Sequence, residues 1–246
     1  MKNIIITCLI SIAATFSSSA QLTKFEKDSF PTTSGKQITI YFIGHGSLMF
    51  NYNGINVYID PSMLFADYAK LPKADIILIT HHHSDHMDTA AISRIHKNGT
   101  QILLPESCLG LLKDIKLGIV LKNGQHSNLY GIEIEAIPAY NTTPGNEKYH
   151  PKGRDNGYII TFDGKRVYVA GDTENTPEMA ALKDIDIAFL PMNQPYTMTP
   201  EQVADAVNAF NPKIFYPYHY GDSDIEKMKT LLSKNKKVEV RIRALK

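Results

Sequence analysis

Four consecutive aliphatic residues, Ile76-Ile77-Leu78-Ile79, run without polar interruption into Thr80-His81-His82-His83-Ser84-Asp85-His86. A strand with no polar alternation has no face to give to water, so it must lie in a sheet covered on both sides. The run therefore points to a layered α/β chain. It also places a dense group of imidazoles and a carboxylate where a buried strand leaves the sheet.

The rest of the pattern agrees. Ile38-Ile40-Phe42, Ser47 to Tyr52 and Ile55 to Ile59 read as an antiparallel opening, with Asn53-Gly54 as a two-residue hairpin turn. Asp88 can cap a helix carrying Ile92 and Ile95, Gly99 is expected to end it, and a strand follows at Gln101 to Leu104, which makes a strand-helix-strand unit. A further helix is expected over Pro105 to Lys113, and short strands near Gly118 to Leu121 and Leu129 to Ile137. A long loop, Ala139 to Asn156, precedes a second hairpin across Asp163-Gly164 and a buried strand at Ile185 to Leu190. Thr199-Pro200-Glu201-Gln202 is a capping box with proline at the first helical position, and Val203, Val207 and Phe210 supply the apolar face. A strand from Lys213 to Tyr218, a helix from Asp222 and a strand from Lys237 to Ile242 close the chain.

Residues 1–20 stand apart. Lys2, the apolar run Ile4 to Ala14 and the small residues Ser18-Ser19-Ala20 have the order of a cleaved leader, so the mature chain is expected to start at Gln21 and to be exported, periplasmic or secreted. The run is too short to serve comfortably as a membrane span, so no stable membrane anchor is expected. Residues 21–36 read as a polar N-terminal extension and 37–246 as one domain, a size that needs no second core. Cys8 falls in the leader, which leaves Cys108 with no partner for an internal disulfide; it reads as a small buried hydrophobe. Without the leader, 26 basic against 25 acidic residues becomes 25 against 25, a balance that offers no footprint for nucleic acid.

In an extended segment, residues two apart project to one side, so His81 and His83 can reach one metal while His82 points away. As the chain turns toward the helix, Asp85 and His86 can reach a second position. Neutral imidazole with carboxylate suits zinc, manganese or iron, and the lack of cysteine ligands favours a catalytic site over a closed structural one. Two more strands end in a ligand type: Val167-Tyr168-Val169-Ala170-Gly171-Asp172 and Ile214-Phe215-Tyr216-Pro217-Tyr218-His219. A solvated His run carries no such flanking strands.

The sequence Thr80-His81-His82-His83-Ser84-Asp85-His86, with Gly171-Asp172-Thr173 and His219 downstream, resembles the metallo-β-lactamase superfamily. Gly44-His45-Gly46-Ser47 and Tyr58-Ile59-Asp60-Pro61 resemble its branch of ascorbate-6-phosphate-lactonase-like, metal-dependent hydrolases. The resemblance covers nearly all of residues 37–242 and implies an αββα sandwich with two divalent metal ions, zinc first and manganese or iron as alternatives, at one edge between the sheets. It implies His81 and His83 at the first metal, Asp85, His86 and His219 at the second, and Asp172 bridging. Asp85 and Asp172 are then the expected catalytic carboxylates. His45, Asp60 and Tyr196 are expected to contact substrate or to support the ligands from behind.

The chain departs from this pattern at Asn141, which stands where most relatives close a strand with a His. The next imidazole is His150, in Tyr149-His150-Pro151. Either Asn141 is a weak oxygen ligand, or His150 turns back from the loop to complete the first metal, with Asn141 behind it, or that site is only partly filled. The loop 139–156 and Asn193 to Met198 are expected to face a small-molecule substrate, with Tyr140, Tyr149, Tyr196 and Tyr218 lining the pocket. Three functions stay open: hydrolysis of a small ester, lactone or amide by activated water; phosphodiester hydrolysis on a phospholipid or cyclic nucleotide; and a non-enzymatic binding or sensing module.

Overall fold

The computed structural model describes residues 22–112 and 118–246; the expected leader, 1–20, lies outside the described residues. The first half of the chain makes one sheet from β1 (Lys27–Pro31), β2 (Gln37–Gly44), β3 (Ser47–Tyr52), β4 (Ile55–Ile59), β5 (Ile76–Leu78), β6 (Gln101–Leu104) and β7 (Gly118–Val120). The second half makes another from β8 (His126–Leu129), β9 (Ile132–Ala139), β10 (Asp155–Phe162), β11 (Lys165–Val169), β12 (Ile187–Pro191), β13 (Ile214–Tyr218) and β14 (Glu239–Val240). Each half lays its strands side by side in chain order. In each, the first four strands pair antiparallel and the remaining ones parallel.

The helices cover the outer faces. Beside the first sheet lie α1 (Thr89–Ile95), capped by the Asp88 side chain, and the short α2 (Glu106–Leu109). Beside the second lie α3 (Pro177–Ala180), α4 (Pro200–Phe210), whose capping box on Thr199 and Gln202 forms as expected, and α5 (Ile225–Leu232). β5 shows why its sequence has no polar alternation. Ile76 and Leu78 enter the core between the sheets, while Ile77 and Ile79 pack outward among Ala91, Ile92 and Ile95 of α1. Across the molecule, Tyr168, Ala188 and Leu190 meet Val203, Val207 and Phe210. The result is the αββα order. Between the sheets, Phe42, Phe50, Phe162, Phe189 and Tyr216 form an aromatic seam, with Phe189 and Tyr216 stacked at 4.9 Å. Burying each such ring contributes about 1.5–3 kcal/mol. Cys108 is wholly buried in the outer layer, and burial pushes its thiol up to about 12.

Several boundaries differ from expectation. Residues 21–36 are not merely an extension. β1 pairs with β2 from Lys27↔Tyr41 to Pro31↔Gln37, so the domain begins ten residues before Gln37. The strand escaped notice because Phe30 is its sole buried residue and Pro31 ends it, the composition of an edge strand. The strand expected at Leu129 to Ile137 is a hairpin, β8 and β9, turning on Tyr130 and Gly131 at φ 55° and 78°. A tyrosine is an uncommon occupant of that left-handed position, so the turn carries a weak signal. α1 ends at Ile95, before Gly99, α2 is shorter than expected, and β14 is a two-residue remnant of the closing strand. Among the described residues no helix is long and apolar enough to cross a membrane.

Candidate metal centre

The chemistry-bearing residues sit where strands release the chain at one edge of the sandwich: His45 after β2, His81 to His86 after β5, Asn141 and His150 between β9 and β10, Asp172 after β11, and His219 after β13. A backbone bond from His219 N to the His45 carbonyl, 3.3 Å, ties loops of the two sheets together. Gly171 lets Asp172 enter. Its φ is +68°, and a Cβ there would lie 2.7 Å from the Asn156 carbonyl oxygen, so only glycine fits.

Two groups of donors flank Asp172, and a third, overlapping set, Asp60, His81 and His86, lies behind them. His81, His83 and His150 make one, with His81 Nε2 3.0 Å from His83 Nδ1 and the His150 ring about equally near both partners, 5.1 and 5.0 Å between centroids. His45, Asp85, His86 and His219 make the other. His82 belongs to neither. Asp172 lies between them: Oδ1 is 3.4 Å from His86 Nε2, while Oδ2 is 3.3 Å from His219 Nε2 and 3.6 Å from His150 Nε2.

Asp60 sets the tautomers. Its carboxylate accepts from Thr80 N (2.8 Å), Thr80 Oγ1 (2.6 Å) and His86 Nδ1 (2.8 Å). Thr80 has one hydroxyl proton and gives it to Asp60, so the 2.9 Å contact with His81 Nδ1 runs from the ring to the hydroxyl. His81 therefore carries its proton on Nδ1, His86 donates to Asp60 through Nδ1, and both turn Nε2 toward Asp172, an orientation that is typical of metal-binding imidazoles.

Charges sort accordingly. Burial holds the His81 imidazole well below its usual value, His83 is lowered in the same way, and burial takes His150 down to about 4, so these three rings are neutral donors. Burial also opposes charge on His86, but the carboxylates of Asp172, Asp60 and Asp85 push it up to about 10. Burial opposes ionisation of Asp85 and Asp172 too; the surrounding imidazoles prevail and hold both carboxyls below their usual range.

A divalent cation fits this donor set on a specific ground. His86 Nε2, His150 Nε2, His219 Nε2 and Asp172 Oδ1 are buried, the three ring nitrogens lie 3.3–3.6 Å from the Asp172 carboxylate, and none of the four has a hydrogen-bond partner among the described residues. Buried polar atoms are normally satisfied, and cations held at the two donor groups would satisfy them. His45, His83, Asp85, His150, Asp172 and His219 open into a cavity of about 330 Å³ whose remaining lining is Tyr149, Asn193 and Tyr196.

Residues 39–219 match the model of the β-lactamase superfamily domain. The chain belongs to the metallo-β-lactamase superfamily. Within it, a metal-dependent hydrolase of Enterococcus faecalis is 32% identical over 190 residues, covering 72% of this chain and 84% of that protein. A crystal structure of a protein of Parabacteroides distasonis assigned as a metal-dependent hydrolase shares 56% identity and superposes with a TM-score of 0.87, covering 90% of this chain and all of that one. A metallo hydrolase of Ignicoccus hospitalis gives 27% identity and a TM-score of 0.71, over 85% of this chain and 95% of that one.

For this superfamily member, the structure gathers His83, Asp85, His150, Asp172 and His219 on the wall of one cavity, buries His81 and His86 beside them, and puts Asp60 behind those two imidazoles. His45 stands closer than a supporting role requires: its Nε2 is 3.3 Å from Asp85 Oδ2, and its ring lies 3.7 Å from that of His219 and stacks on Phe65. Two expected pocket tyrosines are elsewhere. Tyr140 is buried with its hydroxyl on Glu178, and Tyr218 lies in the inter-sheet core, donating to the Gly171 carbonyl. Sequence reading missed Thr80 and Glu174. Buried Glu174 accepts from Thr142 N, Thr142 Oγ1 and Thr143 N at 2.6–2.9 Å and so anchors the start of the long loop. Adjacency to Asp172 was its one available signal, since its partners lie some thirty residues away in the chain.

Proposed function

We infer that the protein is an exported metal-dependent hydrolase that uses a divalent pair, zinc in our reading, on a small neutral ester, lactone or amide. His81, His83 and His150 would hold one ion, Asp85, His86 and His219 the other, and Asp172 both. Such a pair supplies Lewis acidity and makes water a nucleophile near neutral pH. The chain's own part is to present neutral imidazoles at His81, His83 and His150, to keep Asp85 and Asp172 ionised, and to shape the approach. Asp172, which touches both groups, is placed to take the proton that water gives up; Asp85, on the cavity wall, is the second carboxylate within reach. Tyr149 and Tyr196, T-shaped at 5.0 Å, frame the entry, and Asn193 offers an amide to a polar group of the substrate.

The observation that carries the substrate class is the cavity lining. Among the described residues, apart from the donors themselves, it contains two tyrosines and an asparagine, and no lysine or arginine. Recognition of a phosphate or carboxylate remote from the reacting bond ordinarily uses such cations. This supports a neutral acyl substrate over a phosphodiester. The basic-apolar-small order of residues 1–20 supports export.

The test is turnover by zinc-loaded protein of an aryl ester, a lactone, an anilide and bis-nitrophenyl phosphate, compared as kcat/KM. The lactone or ester should exceed the phosphodiester by at least about a hundredfold, roughly 2.7 kcal/mol of transition-state discrimination. A phosphodiester preference would overturn the substrate class. Absence of turnover in a protein that binds two ions would favour the binding module.

A further inference from the structure

Two loops of the site meet at a single carbonyl oxygen. The backbone oxygen of Tyr196 accepts from His150 Nδ1 at 3.1 Å and from Asn141 Nδ2 at 2.8 Å. Asn141 makes two more bonds: its backbone N–H donates to the His150 carbonyl at 2.8 Å, and Nδ2 donates to the Asn146 carbonyl at 3.2 Å. The residue thus grips its own loop at both the middle and the far end, and grips the neighbouring loop at Tyr196.

The direction of these bonds follows from elementary chemistry. A carbonyl only accepts, so His150 carries its proton on Nδ1 and Nε2 presents a lone pair toward His81 and His83. By the same rule the Asn141 amide cannot be reversed, because a flipped group would set its oxygen against two carbonyl oxygens. Its nitrogen is fully engaged. Oδ1 is buried and has no partner among the described residues, so it is the atom through which any direct ligand role would have to act.

We propose that Asn141 is a positioning residue for His150: its amide holds the Tyr196 carbonyl in place, and that carbonyl locks His150 in the tautomer whose Nε2 faces the first donor group. The proposal rests on the reading of His150 as a metal-binding residue. It goes further in making the first donor group depend on the loop that carries Tyr196. The backbone of that residue orients the imidazole while its side chain borders the substrate cavity, so one short segment serves both. Without the carbonyl as acceptor, the ring proton of a neutral imidazole is free to occupy Nε2, and that tautomer cannot bind an ion through Nε2.

The experiment compares the full chain with Asn141→Ala, Asn141→Asp and Tyr196→Ala. The readouts are a zinc titration of chelator-treated protein and the ring ¹⁵N resonances of His150. Asn141→Ala should weaken one of the two binding events about tenfold to a hundredfold, the range for partners of metal-binding imidazoles, and shift the His150 ring nitrogens toward a mixture of tautomers. Asn141→Asp has nearly the same volume but accepts where the amide donates, so it should weaken binding at least as much. It also carries the comparison if the alanine variant unfolds. Tyr196→Ala keeps the carbonyl; it should leave the His150 resonances in place and raise KM.

An Asn141→Asp variant that binds zinc as tightly as the parent, or more tightly, overturns the proposal and assigns Oδ1 as a ligand. Unchanged affinity and tautomer in Asn141→Ala overturns it as well. Failure of the underlying site reading is distinguishable: the parent chain would then bind no zinc before any substitution is made.

Discussion

Gly46 offers the sharpest test of how the second donor group is held. Its α-carbon faces the edge of the fully buried His86 ring, and an added Cβ would lie 2.6 Å from Cε1 and 3.0 Å from Nδ1. Ordinary contact starts at 3.4 Å, so in Gly46→Ala the ring must retreat by about 0.8 Å inside a close-packed interior. The 2.8 Å bond from Nδ1 to Asp60 leaves little slack, and a displacement of that size is enough to take it beyond hydrogen-bonding range. Overpacking and a broken buried bond together cost about 2–5 kcal/mol. For a chain of this size that corresponds to a melting temperature lower by roughly 5–15 °C. The backbone at Gly46 is outside the left-handed region, so the contact alone carries the effect. With Nε2 of His86 misaimed, zinc affinity at one site should also fall about tenfold to a hundredfold. Calorimetric melting and a zinc titration read the two quantities independently. A variant that melts with the parent and binds zinc as tightly would refute the reasoning, since it would mean that His86 has room to move or is not held by Asp60.

Asp172→Ala should lose more zinc and more turnover than any single His change outside the two donor groups, because Asp172 touches both; a variant retaining two ions per chain with near-parent kcat would refute its bridging place. Burial opposes ionisation of Asp28, yet hydrogen bonds from Arg243 and Tyr216 hold its carboxyl below the usual value. Its pairing therefore stabilises the fold above the unfolded carboxyl range and is lost as pH falls through the lowered folded value. Asp28→Asn should melt below the parent at pH 7, with the gap closing in acid; a gap that widens in acid would contradict the sign. Mass spectrometry of protein from its native host should find Gln21 at the N-terminus, and an intact Met1 in the cytoplasm would exclude export.

The layered fold was legible because β5 and β12 are apolar on both faces, and a chain with such strands must cover them twice. Turns built on Asn53-Gly54 and Asp163-Gly164, and the helix capped by Thr199 and Gln202, were legible for the same local reason: their residues favour one backbone geometry wherever they occur. β1 and the Tyr130-Gly131 turn were not, because an edge strand needs little apolar sequence and a tyrosine does not announce a left-handed turn.

For the site, sequence by itself determined the ligand types and their attachment to strand ends, since the alternation of an extended chain puts His81 and His83 on one side. Only the tertiary structure decided which residues share a cluster. His150 joins His81 and His83 because Asn141 and the Tyr196 carbonyl fold the loop back, through bonds spanning up to 55 residues of sequence. Asp60 stands behind both His81 and His86 because β4 lies parallel beside β5 and ends at the same sheet edge. Such partnerships are set by register and by loop closure across two sheets, and no local spacing rule encodes them.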